Sequence, residues 1–147
     1  MAKKKAVFHK EQSDEYEHEA AASYGSLAEQ SARLWSSYSD EEKQAVIDEG
    51  NAIFEAFAAN IDQAPDSPEI QVLLTRWHAH LRHFYEPTIE LLGGLGDLYH
   101  DDPRFRKTFS DLHPDLPIFL KEAIAVYVDM LETRWLEQEL GLLDLEE

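Results

Sequence analysis

Residues 39–61 read SDEEKQAVIDEGNAIFEAFAANI, and this stretch decides the fold class. Ser39 stands where a hydroxyl can accept from the first free N–H groups of a helix, and Glu42 three residues later completes a capping box. Behind it Val46, Ile47, Gly50, Ile53, Phe54, Phe57 and Ile61 recur at three- and four-residue spacing, which aligns them on one stripe of a helix but scatters them over both faces of a strand. Gly50 lies within that stripe, where glycine costs up to ~1 kcal/mol of helix propensity, so the pattern predicts a close approach to the backbone there by a neighbouring helix or a ligand.

The same periodicity continues in both directions. Ser67-Pro68 supplies an N-cap followed by proline at the first helical position, after the breaker Ala64-Pro65-Asp66. The stripe that follows is Ile70, Leu73, Leu74, Trp77, Leu81, Phe84 and Tyr85, and it must stop near Glu86 because Pro87 cannot continue the ladder. A shorter helix over 88–100 carries Leu91, Leu92, Leu95 and Tyr99, weakened by Gly93, Gly94 and Gly96. Asp102-Pro103 opens another with Phe105 and Phe109. Past Leu112-His113-Pro114-Asp115 a last long helix places Leu116, Leu120, Ala123, Ile124, Tyr127, Met130 and Leu131 on one face, with Arg134 at its wet end. No run of period-two alternation bounded by hairpin turns interrupts this series, so the chain reads as all-α.

The first 38 residues differ. Residues 12–22 are largely acidic or alanine, with Tyr16 as their one large apolar side chain, and such a helix is marginal alone. Beyond Tyr24-Gly25, residues 26–38 offer Leu27, Leu34, Trp35 and Tyr38 on one side. Two readings stand side by side: a segment that folds onto a ligand or partner, and an N-terminal helix that frays but packs permanently. The expected organisation is a basic flexible tail over 1–12, mobile lid helices over 13–38, a helical ligand-binding core over 39–136 and an acidic tail over 137–147. No repeat at a period of about 20–50 residues is present.

The 147 residues suit one domain, and 44% of them are apolar. Thirteen basic against 30 acidic side chains give a net charge of −17, which repels nucleic-acid backbones and anionic lipid and excludes a nucleic-acid reader. Lys3, Lys4, Lys5 and Lys10 stand in the first ten residues with no acid among them, a basic head on an acidic chain. The absence of cysteine removes disulfides, thiolate zinc sites and a thiol nucleophile together and suits the cytoplasm. No signal peptide and no membrane-spanning apolar run is present.

Seven histidines invite a metal reading. Yet His78 and His80 project about 160° apart on their helix, whereas a two-ligand zinc helix needs i, i+4 spacing. With Trp77 at the centre of the stripe, His78 and His80 fall on its opposite shoulders and His83 points away, giving two boundary histidines, one surface histidine and no metal site. The carboxylates are numerous but none sits in an apolar run that would raise its pKa. No nucleophile elbow and no phosphate loop occurs, since both need strands. The sequence therefore points to a protein without catalysis, cofactor or metal. Aromatic density stands out instead: Tyr24, Trp35, Tyr38, Trp77, Phe84, Tyr85, Tyr99, Phe105, Phe109, Phe119, Tyr127 and Trp135. Most of these form the core, and a surplus with polar tips also suits a groove for a flat apolar ligand.

The order of segments carries a resemblance. Tyr24-Gly25 ahead of Ser39-Asp40-Glu41-Glu42, the run from His80-Leu81-Arg82-His83-Phe84-Tyr85-Glu86-Pro87 to Thr88-Ile89-Glu90, Leu95-Gly96-Asp97-Leu98-Tyr99 with Asp102-Pro103-Arg104-Phe105, and Leu120-Lys121-Glu122-Ala123-Ile124 follow in one order and spacing. On these, residues 13 to about 128 resemble the TipAS antibiotic-recognition domain, the effector-binding part of TipA-type MerR-family regulators. The resemblance implies a single globin-like helical domain with a deep groove for thiopeptides or other bulky aromatic antibiotics, and front helices that close over the ligand. Carried over by position, it assigns Tyr24, Trp35 and Tyr38 to the closing segment and His80, Phe84, Tyr85, Leu91, Leu95, Tyr99 and Phe105 to the groove, each of which reads equally as core. Family regulators place a helix-turn-helix and a coiled coil ahead of this domain, where this sequence has residues 1–12. Some members hold a cysteine that adds to the drug, so capture here is expected to be non-covalent.

The expectation is a protein, monomeric or weakly dimeric, that sequesters a bulky apolar or aromatic antibiotic and confers resistance or sensing. Two other readings remain open. A globin-like sandwich with His80 on the groove shoulder could bind haem or another tetrapyrrole. A regulatory adaptor could receive a partner helix, for which the tail Leu140-Gly141-Leu142-Leu143-Asp144-Leu145 is a mimic.

Overall fold

The capping box at Ser39 forms: the Glu42 N–H donates to Ser39 Oγ at 3.1 Å, and the Ser39 N–H donates to Glu42 Oε1 at 2.8 Å. The computed structural model describes residues 26–141, with side chains from residue 29 onward. Six helices occupy them: α1 (Ser26–Ser37), α2 (Asp40–Ala59), α3 (Pro68–Leu81), α4 (Ile89–Asp101), α5 (Pro103–Leu112) and α6 (Leu116–Glu139). No strand occurs among the described residues. Tyr24, the tail and front segment before residue 26, and residues 142–147 lie outside them.

Local chemistry sets most boundaries. Ser67, Thr88 and Asp102 each accept a backbone N–H into a side-chain oxygen and so cap α3, α4 and α5, while Pro68 and Pro103 sit where a missing N–H costs nothing. Asn60 closes α2 by bonding the Ala56 carbonyl through its own amide at 2.8 Å. α3 ends earlier than the expected stop near Glu86. From Arg82 the chain tightens into i→i+3 turns, with the N–H groups of Arg82, His83 and Phe84 donating to Ala79, His80 and Leu81. Pro87 restricts Glu86 directly, and the regular helix ends more than a turn before that residue.

The core gathers Ile53, Phe54 and Phe57 of α2, Ile70, Leu74 and Trp77 of α3, Leu92 and Tyr99 of α4, Phe105 and Phe109 of α5, and Leu116, Leu120 and Ile124 of α6. Each large side chain so buried contributes about 1.5–3 kcal/mol from apolar burial. Phe54, Tyr99, Phe105 and Phe109 interlock with centroids 4.9–6.0 Å apart. Two polar tips inside pair with each other: the Trp77 indole N–H donates to the Tyr99 hydroxyl at 3.2 Å, and burial pushes the Tyr99 phenol up to about 12, so it stays protonated.

Met130 departs from the expected face of α6, being 45% exposed on the solvent side, while Leu131 beside it packs against the core. Arg134 is exposed, as read. No helix among the described residues is long and apolar enough to cross a membrane.

α4 and α6 form the most extensive helix pair, and they close through a glycine. A Cβ on Gly96 would lie 3.1 Å from Ile124 Cγ2 and 3.2 Å from Ile124 Cβ, while one on Gly93 would meet only Val128 Cγ1 at 3.9 Å. Gly50 is buried within α2. Alanine at both α4 positions gains helix propensity of up to ~1 kcal/mol. At Gly96 overpacking against a buried, backbone-anchored isoleucine reverses the sign. Gly96→Ala is therefore expected to lower the melting temperature and Gly93→Ala to raise it, measured by thermal denaturation; a rise in both would remove the close-approach argument.

Candidate functional site

The candidate site begins with the carbonyl of His83. In a continuing helix its partner would be the N–H of residue 87, which is proline and has none. Tyr38 fills the gap: its hydroxyl donates to the His83 oxygen at 2.6 Å across 45 residues of sequence. Burial, and Glu42 beside it, raise the Tyr38 phenol above its ordinary value and keep it a donor.

That bond holds the end of α1 and the two-residue link to α2 against the end of α3. Trp35, 5% exposed on α1, stacks on Phe84 with centroids 5.4 Å apart and planes 26° from parallel. Tyr38 stands edge-on to Trp35 at 6.0 Å, and the Lys43 ammonium lies 5.6 Å from the Trp35 ring centroid, within cation–π range. The result is an aromatic platform of Trp35, Tyr38 and Phe84 where α1, α2 and the α3 turn meet.

His80 sits beneath it rather than at a boundary. It is 2% exposed, lies edge-on to Phe84 at 5.8 Å, and contacts the Val46 carbonyl through Nε2 at 2.8 Å. A carbonyl only accepts, so Nε2 carries the proton and ties α3 to α2. Its burial follows from α2 lying along that shoulder, which one helix's periodicity cannot reveal. His78, the other shoulder, contacts the Tyr127 hydroxyl through Nδ1 at 2.7 Å. His83 is partly exposed, with Nε2 3.3 Å from Glu49 Oε1. Among the described residues no three His, Cys, Asp or Glu side chains stand together to hold a metal ion.

The structure thus brings Trp35, Tyr38, His80 and Phe84 together. Tyr85 and Leu95 are partly buried and pack on the core, and Leu91 is buried near the start of α4. Tyr99 and Phe105 lie within the core cluster, their rings 5.7 Å apart. Sequence reasoning assigned no role to a second feature, an open groove of about 560 Å³ between α4 and the last turns of α6. Its signal was available: Trp135 and Leu136 fall beyond Leu131, where the buried stripe stops, and face the Gly93-Gly94 pair.

With this geometry in view, the chain can be placed among known proteins. Residues 16–127 match the family of the TipAS antibiotic-recognition domain, and the chain belongs to that family. It is 31% identical over 119 residues to the HTH-type transcriptional activator mta of Bacillus subtilis (strain 168), covering 80% of this chain and 46% of that protein, so it spans less than half of that relative's length. Its fold matches TipAS of the Streptomyces lividans thiopeptide antibiotic multidrug resistance system, solved in complex with nosiheptide, with a TM-score of 0.69 and 25% identity over 80% of this chain and 85% of that one. The globin-like helical architecture is the one this chain adopts.

Burial, opposed by the Val46 bond and Glu49, holds the His80 imidazole below its ordinary value, and burial likewise lowers His78. The unfolded chain therefore takes up these protons first. The stability that neutral His80 contributes is complete above its unfolded pKa of about 6.5 and declines as pH falls toward the lower folded value. The expected result is a melting temperature that drops more between pH 7.5 and 5.5 in the wild type than in His80→Gln; equal drops would refute the assignment.

Proposed function

We propose that this protein binds a bulky, largely apolar antibiotic of the thiopeptide kind, without catalysis and without covalent attachment, and acts by sequestering or sensing it. Membership of an antibiotic-recognition family and a fold shared with a nosiheptide-bound domain support this reading. The observation that carries it is the Trp35–Phe84 stack, in which a buried indole of the front helix lies against a ring of the core where the proposed lid meets it. A heteroaromatic ring of the ligand would take the place of one of these rings when the lid moves, its burial contributing about 25 cal/mol per Å².

The proposed division is a lid over 13–38 and a binding core over 39–136, with Tyr24, Trp35 and Tyr38 on the lid side and His80, Phe84, Tyr85, Leu91, Leu95, Tyr99 and Phe105 on the core side. Closing the lid offsets part of the affinity through the entropy of ordering it. With no cysteine in the chain, occupancy follows mass action and the drug is released unchanged. The small-molecule partner replaces nucleic acid and membrane, both disfavoured by the charge of −17. A haem reading draws no support from His80, whose Nε2 is already engaged by the Val46 carbonyl.

Calorimetric titration of the full chain with nosiheptide and with thiostrepton tests this. Saturable one-to-one binding to at least one of them is expected, weakened about tenfold or more in Trp35→Ala, which corresponds to about 1.4 kcal/mol. Absence of binding to both, or an unchanged Kd in a folded Trp35→Ala, would defeat the proposal.

A further inference from the structure

The groove between α4 and α6 is distinct from the aromatic platform. Its floor is Ile89, Gly93 and Gly94 on one side and Val128, Trp135 and Leu136 on the other, and each wall carries a carboxylate, Glu90 on α4 and Glu132 on α6. Trp135 and Leu136 are 52% and 51% exposed. No ring, cation or hydrogen-bond acceptor engages Trp135 among the described residues, and no cation pairs with Glu90 or Glu132 there. An exposed tryptophan beside unpaired carboxylates in an apolar trough asks for an occupant that is apolar in the middle and basic at its edges.

This chain contains such a segment. Residues 1–10 read MAKKKAVFHK: an apolar triplet, Ala6-Val7-Phe8, preceded by Lys3-Lys4-Lys5 and followed by His9-Lys10. Those four lysines stand in a ten-residue stretch with no acid, in a chain of net charge −17. We propose that residues 3–10 dock in the α4–α6 groove, with Val7 and Phe8 against Trp135 and Leu136 and the flanking lysines at Glu90 and Glu132. Val128 to Leu136 spans about 12 Å of helix, the length of roughly four extended residues, so the groove holds the triplet and leaves the lysines at its rims. Wound as the lid helix proposed over 13–38, residues 11–25 still span about 22 Å, and the groove begins at Ile89, five residues past the Phe84 on which α1 is stacked. The groove is then self-occupied, and any partner that uses it competes with the chain's own head.

The lack of cysteine gives a clean test. Ala2→Cys in the full chain carries a single nitroxide, and its paramagnetic broadening is read on the amides and indole N–H signals. Selective loss of more than half the intensity at Gly93, Gly94, Leu136 and the Trp135 indole is expected. Raised salt, and the double substitution Glu90→Lys with Glu132→Lys at two exposed positions, should each restore it. Four results would overturn the proposal: no broadening at the groove, broadening centred on Trp35 and Phe84, broadening that survives charge reversal, or broadening that appears only between labelled and unlabelled chains, which would mean a second copy is the occupant.

Discussion

The missing N–H of Pro87 is the constraint on which the candidate site depends. It leaves the His83 carbonyl without a helical partner, within the tight turns of residues 82–84 that follow the end of α3 at Leu81. Tyr38 supplies that partner from a distant part of the chain, and in doing so fixes where α1 ends relative to α3. The Phe84 ring leaves the last of those turns at the position that stacks on Trp35. One absent donor thus converts a local break into a tertiary junction, and Thr88, immediately after the proline, starts α4 from the same point.

α4 is the element that joins this junction to the rest of the molecule. Its first turns lie beside the end of α3 in sequence, and its middle is pressed on α6 at Gly96, where Ile124 leaves no room for a side chain. Its last turn buries Tyr99 under Trp77 and Phe109. A rigid helix pair therefore stands behind a junction built from rings, one phenol bond and one imidazole bond, which is the arrangement expected of a recognition surface carried on a stable frame.

Fold class, helix number from residue 26 onward and most caps were legible in the sequence, because Ser39, Ser67 and Asp102 act on N–H groups two or three residues away and carry their meaning locally. The end of α3 was less so: Pro87 marks a barrier, but how far back its effect reaches depends on what takes the freed carbonyls. Periodicity reports which face of a helix is apolar, not which neighbour covers it. It therefore could not separate Trp35 and Phe84, which meet at a junction, from Tyr99 and Phe105, which meet in the core. The same limit made His80 look like a boundary residue. Gly96 reads in sequence only as a weak position of its helix, yet Ile124 fills the space beside it, brought there by a partner helix 28 positions on.

α6 is one helix of 24 residues but two mechanical elements. Up to Leu131 it is clamped by the core; from Glu132 onward it projects past it, with no basic residue in its last turn to favour the negative end of its dipole. Amide exchange should therefore be graded along a single unbroken ladder of hydrogen bonds, slowest near Leu120 and Ile124 and fast in the final two turns. Trp135 and Leu136 belong to the loose part. The wall they form can adjust its width without disturbing a single packed residue, so this end of the molecule is compliant while the opposite end of the same helix is not.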